Sequence, residues 1–166
     1  MYKIERATAA DVPLIRELAF KVWPQTYAPI LTPAKIEYML DLMYSAKSLE
    51  NQMKDGATFI IVYEDNEPVG FASYQEMKPT IFKLHKIYVL PNQQGKGTGS
   101  FIINDIIAAI QPGGATALQL QVNRGNKARS FYEKLGFMII EEIDLDIGNG
   151  FFMNDYVMEK RLNIAQ

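Results

Sequence analysis

"YVLPNQQGKGTGSFIINDII" (Tyr88–Ile107) decides how this chain is read. A run of apolar residues, Tyr88-Val89-Leu90, stops at Pro91. Glycines follow at alternate positions, Gly95, Gly97 and Gly99, and an apolar pattern of helical spacing begins at about Ser100 and runs to Ile110. The glycines permit backbone angles closed to other residues and let a ligand approach the main chain. A turn that then opens a helix presents free N–H groups at the positive end of the macrodipole, and a phosphate is the usual guest of such a place. A purely structural glycine turn fits the same letters.

Outward from this stretch the pattern alternates between strands and helices. "YKIERA" reads as a first strand, and Thr8 with Asp11 resembles a capping box for a helix carrying Val12, Ile15, Leu18, Ala19 and Val22. Trp23-Pro24 is expected to end that helix. Thr32-Pro33 opens the next, with Ile36, Met39, Leu40 and Met43 on one face, and "SLENQMKDG" gives a further short helix. "TFIIVYE" and "PVGFASYQE" form a hairpin about "DNE", and "TIFKLHKIYVL" is the strand that leads into the glycines. Beyond the central helix come a strand "ALQLQV", a helix "NKARSFYEKLG", and two strands about "GNG". The order β-α-α-β-β-β-α-β-α-β-β predicts an α/β (α+β) domain, a mixed sheet with helices packed on it.

The bulk composition narrows the classes. The 166 residues predict one domain, 1–166, large enough for its own core. Seventeen Lys and Arg against nineteen Asp and Glu give a net charge of −2, with no general attraction to nucleic acid or to an anionic membrane. There is no cysteine, so disulfides, thiolate metal sites and a cysteine nucleophile are excluded, and one histidine leaves little for a zinc site. The start, "MYKIERATAADVPL", has no apolar signal-peptide core, and no apolar run approaches the ~18 residues of a membrane span. A cytoplasmic protein with no metal is expected.

Three phosphate motifs compete for the glycine turn. The Walker pattern fails because Leu90 stands where its first glycine belongs and Gly97 where a Ser or Thr should be. The dinucleotide fingerprint fails because its last glycine falls on Ser100 or Ile102, and no ribose-binding acid follows at residues 115–121. Gln94-Gly95-Lys96-Gly97-Thr98-Gly99 reads Q-x-x-G-x-G. This resembles the pyrophosphate loop, [QR]-x-x-G-x-[GA], of the GNAT superfamily of N-acetyltransferases. A second block, "LQVNRGNKARSFYEKLGF", is similar to the family's other cofactor segment at Val122, Asn123, Asn126, Phe131, Tyr132, Gly136 and Phe137, with Ala128 displaced by one place. The resemblance covers residues 57–160 well and the first 56 mainly in element order.

The resemblance implies a GNAT fold, a mostly antiparallel sheet whose strand before the loop splays from its neighbour, and acetyl-CoA as co-substrate. Backbone groups of Ile87, Tyr88 and Val89 would pair with the pantetheine arm. The pyrophosphate would lie over Gln94, Gly95, Lys96, Gly97, Thr98 and Gly99, with Ser100 nearby. Asn126 matches a pantetheine contact and equally fits a helix N-cap. Tyr132 matches the family's general acid, and also fits core packing beside Phe131 and Leu135. For the base, period two puts Lys83, His85, Ile87 and Val89 on one strand face. His85, whose unperturbed pKa is about 6.5, competes there with a plain strand role, with Glu76 and with a water chain.

The acceptor implied is a small-molecule amine, attacked directly in a ternary complex, and the family leaves room for a homodimer. "KVWPQTYAPILTPAKIEYMLDLMYS" with "LHKIYVLPNQQGKGTG" is similar to bacterial polyamine N-acetyltransferases of the Pai type. Glu37, Asp41, Glu76, Asp144 and Asp155 would then receive a polycation, unless they form an ordinary solvated face. A peptide N-terminus, an amino-sugar, or a non-catalytic CoA-binding regulatory domain are the other readings. A DNA-binding role finds no basic stripe.

Overall fold

The computed structural model describes residues 1–162, so the expected domain end at Gln166 lies outside the described residues. Seven strands form one sheet: β1 (Tyr2–Arg6), β2 (Thr58–Glu64), β3 (Glu67–Lys78), β4 (Ile81–Val89), β5 (Ala117–Asn123), β6 (Met138–Gly148) and β7 (Phe151–Arg161). Their spatial order is β1-β2-β3-β4-β5-β7-β6. Every neighbouring pair is antiparallel except β4 with β5, which is parallel. The parallel pair requires a crossover, and the helix after the glycine turn, α4 (Thr98–Ile110), supplies it.

Helices cover both faces. On one face α4 and α5 (Ala128–Lys134) bury Ile102, Ile103, Ile106 and Ile110, together with Tyr132, against Leu84, Leu118 and Leu120. On the other face lie α1 (Val12–Tyr27), α2 (Pro33–Tyr44) and α3 (Ala46–Lys54), whose Ile15, Leu18, Trp23 and Tyr44 pack on Phe59, Ile61 and Phe71. Burial on both faces explains why β2 reads as a near-continuous apolar run rather than an alternation. The tight turns are chemically explicit. Asp65-Asn66 between β2 and β3, and Asn149-Gly150 between β6 and β7, all take positive φ (50° and 71°, 54° and 77°), as a two-residue hairpin turn demands.

One expectation fails here. The first helix does not end at Trp23-Pro24; α1 continues to Tyr27 with Pro24 inside it. Proline forfeits one backbone bond, but Ala28 N–H still donates to the Pro24 carbonyl at 3.0 Å. The added turn stacks Tyr27 on Trp23, with ring centroids 4.4 Å apart and both rings buried. Aromatic burial outweighs the lost bond.

Candidate active site

The site begins as a defect in the sheet. β4 and β5 pair only from Ile81↔Ala117 to Leu84↔Leu120. Beyond that, β4 stays with β3 as far as Val89↔Gly70, while β5 stays with β7 as far as Asn123↔Asp155. The two central strands therefore diverge, and residues 85–89 turn an unpaired edge toward residues 121–123. At the same point β4 bulges: Leu84 faces Tyr74 and Lys86 faces Ser73, leaving His85 as the extra residue. A bulge shifts the side-chain alternation by one place. This overturns the expected face of Lys83, His85, Ile87 and Val89. Ile87 and Val89 pack into the core under α4 and α5. Lys83, His85, Lys86 and Tyr88 instead line a cleft of about 400 Å³ below α1 and α2.

At one end of the diverging strands lies the glycine turn. Gly95 and Gly97 adopt φ of 81° and 84°, and a β-carbon added to either would meet nothing within 4 Å, so both serve backbone geometry on an open surface. Gly97 precedes α4, whose first bond runs from Phe101 N–H to the Gly97 carbonyl at 3.0 Å. The N–H groups of Thr98, Gly99 and Ser100 stand free of the helical ladder, as at any helix start. The residues of this turn differ in duty. Gln94 and Lys96 are exposed. The Thr98 hydroxyl is taken by the Tyr2 hydroxyl, 2.6 Å away, which leaves Thr98 only its main chain. Gly99 is a packing glycine, because a β-carbon there would stand 3.0 Å from the Phe131 ring of α5.

Across the gap, Asn126 accepts a bond from Ala128 N–H at 2.9 Å, a side-chain turn one residue ahead of Lys127, which stands at the N-cap of α5 in place of Asn126. Tyr132 is 8% exposed, with its ring between Phe131 and Phe137 at centroid distances of 5.2 and 5.8 Å. Burial pushes its phenol well above the usual tyrosine range, so it stays protonated at neutral pH. Tyr27 and Tyr88 share a hydroxyl–hydroxyl bond of 2.9 Å, and burial raises both.

The cleft floor fixes the state of the one histidine. The Gln75 amide donates to the Asp55 carbonyl at 2.6 Å, which turns its oxygen toward His85 Nε2 at 3.0 Å. Nε2 must then carry the proton, and Nδ1 is left as an acceptor. Burial, with Lys83 and Lys86 on either side, lowers the imidazole to about 4. It is neutral at pH 7 but a far weaker base than the ~6.5 of a free imidazole. Glu76 is not brought to the cleft. It lies exposed opposite Phe82, on the other face of the sheet, and accepts from Thr80 N–H at 3.2 Å.

The other candidate acids disperse as well. Glu37 and Asp41 line an outer groove between α1 and α2, and Asp144 is paired with Arg124 at 2.6 Å. Asp155 alone of the five lines the cleft, 3% exposed, its carboxyl pushed up by burial and partly offset by Lys83 and Arg124. The cleft holds three lysines, Lys35, Lys83 and Lys86, against Asp55 and Asp155. Sequence reasoning missed Lys86 and the Tyr88 ring, since no letter marks the bulge that aims them. Among the described residues no group of three His, Cys, Asp or Glu side chains could hold a metal. No helix there is long and apolar enough to cross a membrane.

A family model described as an acetyltransferase (GNAT) domain matches residues 27–159. The chain belongs to the GNAT acetyltransferases. An alanine N-acetyltransferase of ribosomal protein bS18 from Haemophilus influenzae is 32% identical over 104 residues, 61% of this chain and 67% of that one. The PaiA N-acetyltransferase from Thermoplasma acidophilum, solved with coenzyme A, superposes with a TM-score of 0.82 at 24% identity, over 98% of this chain and 99% of that one. The ribosomal-protein-S18-alanine N-acetyltransferase from Escherichia coli gives 0.75 at 19%, over 100% and 97%. At these identities the two structures show the shared GNAT fold: seven strands, one parallel pair, flanking helices. GNAT enzymes use acetyl-CoA.

Proposed function

We propose that this protein moves the acetyl group of acetyl-CoA to a primary amine by direct attack in a ternary complex. The observation that carries the reading is the divergence of β4 from β5, with free helix N–H groups at one end and a half-open cleft carrying charged side chains on the α1–α2 side. In this proposal the pyrophosphate lies over the N–H groups of residues 94–100. The pantetheine arm pairs with the open edge of Ile87, Tyr88 and Val89 and passes Asn126.

The amine nitrogen forms its bond to the thioester carbonyl carbon, and the carbon–sulfur bond breaks. The departing sulfur takes a proton, and the nitrogen loses one. Tyr132, protonated by its burial, is the donor to sulfur. The nitrogen's proton leaves on the side where Asp155 and the free Nδ1 of His85 lie. An imidazole lowered to about 4 would set an acidic limb of kcat/KM near pH 4, not near pH 6–7. The cytoplasmic location read from the sequence belongs to the same proposal.

Tyr132→Phe removes the hydroxyl and little volume. It is expected to lower kcat by ~10²–10⁴ with little change in CoA affinity. An unchanged kcat would return Tyr132 to a packing role. A peptide N-terminus is a second reading, favoured by the bS18-alanine N-acetyltransferase relative. A polyamine is favoured less, because the carboxylates meant to anchor it lie mostly outside the cleft. Thiol release with a peptide, a polyamine and a monoamine in parallel separates them.

A further inference from the structure

The inner end of the cleft, where α1 and α2 meet β3 and β4, carries hydrogen-bond donors that find no acceptor. Lys86 is 8% exposed, with its ammonium 4.7 Å from the centre of the Tyr44 ring and, among the described residues, no carboxylate in an ion pair with it. Around it, the Tyr44 and Ser73 hydroxyls are buried with no acceptor for their protons among the described residues, while the Trp23 indole N–H faces the Tyr44 oxygen without closing a well-formed hydrogen bond. These groups are contiguous. Ser73 faces Lys86 directly across the β3–β4 ladder, and Trp23 and Tyr44 touch edge to face at 5.7 Å. Trp23, Tyr44 and Lys86 all line the cavity.

The chemistry of this set is one-sided. An ammonium and an indole N–H donate and cannot accept, and the two hydroxyls have protons to give. An unpartnered buried polar group costs free energy, and several together point to a missing guest. A guest that accepts from Lys86 and the groups beside it that line the cleft is an anion. The two acids of the cleft do not fill that need. Asp55 is exposed, and Asp155 balances Lys83 and Arg124 from β7. Lys35, the remaining cation, donates to the Phe152 carbonyl.

We propose that Lys86, Trp23 and Tyr44 form an anion subsite, and that the acceptor is an amine carrying a carboxylate. This rests on the acetyltransferase reading and specifies its substrate class. The acceptor's carboxylate sits at Lys86, while its ammonium lies toward Asp155, which is 3% exposed on β7, beyond β5 from Lys86 and beside the end of β5 at Asn123. A zwitterionic acceptor thus meets complementary charge at both ends. A polycation would meet Lys83 and Lys86.

Two measurements test this separately. Trp23 is the only tryptophan in the chain, so its fluorescence reports the subsite without any turnover. Propionate is expected to give a saturable change in wild type, propylamine none, and Lys86→Met is expected to abolish the propionate response. No propionate response in wild type, or an equal one in Lys86→Met, overturns the proposal. In thiol-release assays, an amino acid is expected to exceed its carboxamide by roughly tenfold or more in kcat/KM. Lys86→Met should erase that preference with KM for acetyl-CoA unchanged, while Lys83→Met retains most of it. A polyamine or the carboxamide preferred by wild type also overturns it. Turnover of no amine at all, with the propionate response intact, would remove the acetyltransferase reading and leave an anion site.

Discussion

Lys86 shows what a single residue concedes to a site. Burial, with Lys83 close by, lowers its pKa from 10.5 to about 8. Between those values the unfolded chain binds a proton that the folded chain does not, so stability rises with pH across that window. Below pH 8 the folded protein bears the full cost of a buried charge, about 3 kcal/mol for a fall from 10.5 to about 8. Lys86→Met is therefore expected to raise stability at pH 7, and the gain should shrink toward pH 10. Urea denaturation of both proteins at the two pH values checks it; a loss of stability at pH 7 would mean that the Tyr44 ring under the ammonium more than offsets its burial. At this scale the sequence was half legible. Gly95 and Gly97 form a left-handed turn before α4, and Tyr132 stands in α5, the elements their letters predict. Lys86 does not announce itself, because its direction depends on one extra residue in β4, and a bulge is set by how two strands pair rather than by the letters of either.

Among the elements, the turn from β4 into α4 was the most legible, since three glycines and a proline have few conformations in common. The end of α1 was the least. Proline's local preference was overruled by the packing of Trp23 and Tyr27 with each other and with Tyr88, which lies more than sixty positions away from both. The legible turn supports a sharp test. Gly97 has φ of 84° and open space where a side chain would go, so Gly97→Glu introduces backbone strain and a carboxylate beside free N–H groups. CoA binding measured by calorimetry is expected to fall at least tenfold while the fold survives. Near wild-type affinity would move the pyrophosphate elsewhere. Gly99 is the contrasting case: substitution there should disturb the α4–α5 contact at Phe131, and so stability before binding.

For the molecule as a whole, strand number, helix placement and family were legible from two motif blocks and the alternation of elements. The distribution of charge was not. Five acids spaced along the chain could be read as an acceptor mouth or as an ordinary solvated face; they end on an outer groove, a turn, an ion pair and only once in the cleft. Tertiary structure sorts charges by face, and sequence distance carries no record of that sorting.

The short parallel pairing between β4 and β5 has a mechanical side. Only four residue pairs, Ile81↔Ala117 to Leu84↔Leu120, stitch the first four strands to the last three. A pantetheine arm laid against Ile87, Tyr88 and Val89 would extend that seam from outside, a borrowed strand completing a sheet that the polypeptide leaves unfinished. A ligand that binds only the folded state stabilises it by RT ln(1 + [L]/Kd), about 2.7 kcal/mol at a hundredfold excess over Kd. Here the added rigidity should be local. Hydrogen–deuterium exchange is expected to slow on CoA addition at the amides of residues 86–89, with β1 and the β6 edge unchanged. Uniform slowing throughout the sheet would show that the two halves were already one sealed unit, and that the cofactor closes no seam.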